Sequence, residues 1–128
     1  MALGKIKADT LEHSTAGSLD TQYIVAGSPR AWFQANLETP VVQQSINIAS
    51  ITDVQAGRHD FTYTNNFAQR TYACPTGGGG STSNNTLANV ATPTDGKLTS
   101  KVRADTQYAH TTVFDPAECC IASIGDLA

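Results

Sequence analysis

The chain carries little charge for its length. Eight Lys and Arg against eleven Asp and Glu make up 15% of its 128 residues, where an average soluble domain has about 25%. A net charge of -3 provides no basic surface for phosphate backbones, so nucleic acid is not an expected partner. No apolar run approaches the roughly 20 residues that cross a bilayer as a helix. The opening Met1–Lys7 lacks the apolar stretch of a secretory signal, so synthesis in a reducing cytosol without membrane insertion is expected. Continuous helical periodicity is missing as well. Cysteine is scarce: Cys74, Cys119 and Cys120 show neither CxxC nor zinc-ligand spacing, and small buried thiols in strands are expected. The length suits one domain with one modest core.

Threonine fills the space left by charge. There are 17, with Ser, Asn, Gln and Gly adding further poor helix formers. Short period-2 alternation, broken by turn residues every 8–12 positions, predicts an all-β sandwich or barrel. Gln22–Ala26 is a short apolar run that ends at Gly27-Ser28-Pro29. Arg30–Asn36 carries Trp32 and Phe33. Ser45–Ser50 alternates so that Ile46 and Ile48 share a face, and Phe61, Tyr63 and Asn65 return after a turn over Gln55–His59. Gln69–Cys74 is a further expected strand, stopped by Pro75. The glycine-rich stretch 76–86 reads as a flexible linker or exposed loop. Order resumes at Leu87–Ala91, and Thr92–Gly96 is a turn. Between Lys97 and Ala104, Leu98, Ser100, Val102 and Ala104 oppose Lys97, Thr99, Lys101 and Arg103. That basic face is expected to be the solvated guard of an edge strand. Cys119–Ile124 reads as a central strand. Residues 1–20, where Lys5–Leu11 could form a strand, have little to anchor them in a monomer and form an extended arm; 21–128 form the β domain.

No motif specifies a reaction. The run Gly77–Gly80 lacks the Gly-Lys-Ser/Thr ending and the strand–helix setting of a phosphate loop. His13, His59 and His110 read as exposed loop histidines. No Ser or Cys lies in a nucleophile elbow, and His110 with Asp105 or Asp115 is a ligand short of a metal site. Glu12, Glu38 and Glu118 are scattered, giving no carboxylate pair for glycoside hydrolysis. Asn84-Asn85-Thr86 fits the glycosylation pattern by composition alone. Tyr23, Trp32, Phe33, Tyr63, Tyr72 and Tyr108 could stack on sugars but are expected mainly in the core or between subunits. No catalytic set, metal or cofactor is expected.

The order of several segments is nonetheless specific. Lys7-Ala8-Asp9-Thr10-Leu11 with His13-Ser14-Thr15-Ala16-Gly17-Ser18, then Gly27-Ser28-Pro29-Arg30-Ala31-Trp32, resembles a family of small tail-fibre-like virion structural proteins of tailed bacteriophages from aquatic hosts. Ser45–Asp53, Asp60-Phe61-Thr62-Tyr63-Thr64 and the ending Gly125-Asp126-Leu127-Ala128 extend the resemblance across the chain in outline, apart from about 76–100. The sequence departs at Asp53-Val54-Gln55-Ala56-Gly57-Arg58-His59-Asp60, where the family has an Asp-Asn-Gly-Thr-Gly-Asp type of turn. The resemblance implies a non-enzymatic virion component made in the bacterial cytoplasm. It would be a tail fibre with possible contact to a host-surface glycan or protein, or alternatively a capsid decoration or head-fibre protein; a polysaccharide hydrolase and a free carbohydrate-binding module are more remote. Such fibres are commonly homotrimers attached to other tail or capsid proteins. Ile6, Leu11, Trp32 and Phe33 are the residues expected at the subunit interface.

Overall fold

The computed structural model describes residues 8–14, 17–79, 86–90, 96–108 and 112–128. The fold is all-β, as expected, apart from one seven-residue helix. A small hairpin of β1 (Thr10–His13) and β2 (Gly17–Asp20) leads into α1 (Thr21–Gly27). The remaining strands are β3 (Ala31–Asn36), β4 (Val41–Ile46), β5 (Ile48–Gln55), β6 (Arg58–Tyr63), β7 (Thr76–Gly79), β8 (Thr86–Val90), β9 (Lys101–Tyr108), β10 (Thr112–Val113) and β11 (Glu118–Ser123). One sheet runs β4-β3-β11-β7. The other runs β10-β9-β6-β5, with β8 also on β9. All named strand pairings are antiparallel.

The two sheets bury the period-2 residues against each other. Ala31, Phe33 and Ala35 of β3 and Cys119 and Ile121 of β11 meet Phe61 and Tyr63 of β6 and Val102 and Ala104 of β9. The Phe33 and Phe61 rings stack across the interior with centroids 3.5 Å apart, removing large apolar areas from water. Tyr63 joins the sheets through its hydroxyl, 2.8 Å from Ser123 Oγ. Tyr72 donates to the carbonyls of Leu98 and Lys101 at 2.8 and 3.1 Å. The chain's end is tied in through Ala68 N–H to the Asp126 carbonyl, at 2.8 Å, and Ala128 N–H to the Asn66 carbonyl, at 2.8 Å.

Several expectations need correction. Gln22–Ala26 lies in α1, because the run is too short to show a period. Ile46 and Ile48 do not share a face. Asn47, at φ 59°, turns the chain from β4 into β5, leaving Ile46 exposed on one sheet and Ile48 half-buried on the other. Gln69–Cys74 forms no named strand and pairs only through Ala73 with Ile124. Gly77–Gly79 are not loop residues: they belong to β7, opposite Cys120, Cys119 and Glu118 of β11. The sheet there needs no side chains to close its ladder. Cys119–Ile124 largely coincides with β11, which is central in its sheet as expected. Residues 80–85, the Asn84 pattern, 92–95, Ile6 and His110 lie outside the described residues.

Candidate functional site

A cluster of titratable side chains lies where β5 turns into β6. Gly57 holds the turn at φ +73°, and a Cβ there would stand 2.8 Å from the Thr106 carbonyl oxygen and from Val113 Cβ. Only glycine meets both demands. Its N–H donates to Asp115 Oδ1 at 2.7 Å, tying the segment after β10 to the turn. Two residues on, His59 is fully buried. Its Nε2 is 3.8 Å from Asp53 Oδ1 and its Nδ1 is 3.8 Å from Asp115 Oδ1. Neither separation is a hydrogen bond, and both ring nitrogens lack a partner. His59 is therefore not the exposed turn residue expected. The turn ends at Gly57, and His59 occupies the inward phase shared by Phe61 and Tyr63. Counting back by two from Phe61 would have found it.

Asp60 faces the other way. Arg103 Nε donates to its Oδ1 at 2.6 Å and Nη2 to its Oδ2 at 3.0 Å, while Lys101 Nζ donates to Oδ2 at 2.6 Å. Burial pushes the Asp60 carboxyl up, but the hydrogen bonds and charges of Arg103 and Lys101 outweigh it and hold the group below its usual range. The basic face of β9 is thus not a solvated edge guard. β9 lies inside its sheet, Arg103 pairs in register with Asp60, and Arg58 stands opposite Asp105, its Nε donating at 3.1 Å. These charges are committed to structure. Burial also raises the Cys119 thiol to about 12 and the Tyr63 hydroxyl to about 12. Cys74 and Cys120 are raised by burial too. All three cysteines are free. Among the described residues no group of three His, Cys, Asp or Glu is placed to hold a metal ion.

A concave surface lies on the outer face of the β4-β3-β11-β7 sheet. Half-buried Trp32 stands beside a floor of small residues, Cys120, Ala122 and Gly77, with Pro75 and Thr76 along the far wall, in a shallow apolar groove of about 320 Å³. At one end Gln34 Nε2 donates to Glu118 Oε1 at 3.1 Å. A second recess of about 260 Å³ lies against Gln69, Thr71, Gly125 and Asp126. His59 lines neither. The groove arises because β3 and β11 alternate: Phe33 and Ile121 turn inward, so Trp32 and Ala122, paired in register, turn outward.

Of the residues expected between subunits, Trp32 is on this outer face, and Leu11 is half exposed on the β1–β2 hairpin. Phe33 is 2% exposed and occupied by Phe61. The alternation of β3 keeps it in the core of its own chain, away from a neighbour. Ile46 and Val41 of β4 were missed and are over half exposed. Their apolar character was legible, but their orientation required the register of β4, which sets Ile46 against Trp32 and Val41 against Asn36. No protein-family model, curated protein or solved structure matches the chain.

Proposed function

We propose that the chain is a non-enzymatic structural component of a phage particle, a small tail fibre or fibre-like piece that associates with itself. The observation that carries this reading is the ordered set of segments from Lys7-Ala8-Asp9-Thr10-Leu11 to Gly125-Asp126-Leu127-Ala128, which resembles tail-fibre-like virion proteins. The disposition of side chains supports it. The charged groups of β6 and β9 are paired with each other, and the one imidazole among the described side chains is enclosed. What the surface offers is a Trp-walled apolar groove and an uncharged strand edge, which suit contact with other subunits or a host surface better than turnover.

Gold-labelled antibody against the chain should decorate tails of the intact particle. Labelling at capsid vertices or hexamers would instead make it a head-fibre or decoration protein, and absence from purified particles would overturn the proposal. Removal of residues 1–20 is expected to weaken attachment to the particle. Turnover of capsular polysaccharide or lipopolysaccharide that is abolished by His59→Ala would place the chain among hydrolases.

A further inference from the structure

We propose that β4 is the seam along which two copies of the chain join, antiparallel, about a two-fold axis through Gln44. This rests on the strand itself and is independent of the virion reading. Among the described residues β4 is the last strand of its sheet, paired only with β3. Its outer row of backbone N–H and C=O groups is therefore a template for another strand. Edges are guarded by charge, by proline within the strand or by a bulge that twists the edge away, and of these β4 has only the bulge described below. Here no charged residue occurs between Glu38 and Asp53, and Pro40 stands just outside the strand. Val41 and Ile46, at its two ends, are 52% and 54% exposed.

The register selects a second copy as the partner. β3 pairs Trp32 with Ile46, Phe33 with Ser45 and Gln34 with Gln44, then slips to pair Ala35 with Val42 and Asn36 with Val41. Gln43 is thus the extra residue of a bulge. The slip puts Val41, Gln44 and Ile46 on the outer face and Val42 and Ser45 on the inner. The five regular positions then read outer, inner, outer, inner, outer, symmetric about Gln44.

A second β4 laid antiparallel with Gln44 against its own counterpart sets Ile46 opposite Val41 and Ser45 opposite Val42. Every pair lies on matching faces, and no charges meet. Without the bulge, Val41 and Ile46 would lie on opposite faces, and no continuous two-fold sheet could match them. The two bulged Gln43 residues fall on opposite sides of the axis, so the paired ladder is interrupted once on each side of the Gln44 pair. Trp32 of β3 is the ladder partner of Ile46, so each half of the seam carries an apolar strip of Trp32, Ile46 and the second copy's Val41. An eight-stranded sheet results.

The test is sedimentation equilibrium of the full chain across the micromolar range. The unaltered chain should dimerise. Gln44→Lys and Gln44→Glu each set like charges on the axis and should raise the dissociation constant about fivefold, with circular dichroism unchanged because Gln44 is exposed. An equimolar mixture of the two should recover the affinity, which only a pairing of position 44 with itself allows. Ile46→Lys, meeting Val41 twice per dimer, should weaken association further. A monomeric unaltered chain, a trimer indifferent to these changes, or a mixture that fails to recover would each overturn the proposal.

Discussion

Asp60 and His59 are neighbours with opposite fates, decided by which face of β6 each occupies. Asp60 meets Arg103 directly across the ladder and Lys101 diagonally, and its ionised form satisfies both. A carboxyl held below its usual value stabilises the fold fully above the unfolded value near 3.8. That contribution is lost as pH falls through the lower folded value. Asp60→Asn should cost about 2 kcal/mol at neutral pH, measured by urea denaturation, and the loss should shrink when the same titration is repeated at acid pH. His59 buries two ring nitrogens with no partner, a desolvation cost without a compensating bond. His59→Leu should therefore leave neutral-pH stability unchanged or raise it by about 1 kcal/mol. A large loss in the same denaturation experiment would show that the imidazole is held by more than packing.

At the scale of elements, β3 shows how one strand divides its work. Its inward residues Ala31, Phe33 and Ala35 are buried, while Trp32, Gln34 and Asn36 are only partly covered. Phe33→Ala removes the ring stacked on Phe61 and should cost about 3–5 kcal/mol, whereas Trp32→Ala should leave the thermal midpoint much closer to that of the unaltered protein. Differential scanning calorimetry of the two variants separates the roles. The alternation was legible in Arg30–Asn36, though which face turned inward was not. The hairpin of β5 and β6 was legible in the pattern around Phe61 and Tyr63. Gly77–Gly79 carry no strand signal of their own, because glycine has no side chain to set a period. Those residues are strand because β11 supplies a neighbour for their backbone, a cause lying some forty positions away.

For the whole molecule, the core is shared by both sheets, so its groups become accessible together. Cys119 lies wholly inside it, its thiol raised to about 12 by burial and, secondarily, by Cys120. Thiolate is the reacting form. At mildly alkaline pH, Cys119 should resist a disulfide-exchange reagent in the folded protein and react at the ordinary rate in denaturant; mass mapping of the labelled thiols gives the check. Rapid labelling of folded Cys119 would mean that β11 opens independently of the rest.

Low charge, abundant threonine and short alternating runs bias the backbone locally toward strands and leave one core to be built. Those tendencies depend on neighbours in the chain, so the all-β class and the hairpin around Gly57 were determined by the sequence alone. Which residues meet was decided by tertiary structure. The partners of Asp60 lie on β9, the enclosure of His59 needs Asp53 and Asp115 from two other segments, and the outward turn of Val41 and Ile46 depends on a slip at Gln43 seen only against β3. Side-chain phase is a property of pairing, and pairing joins positions that local propensity cannot compare.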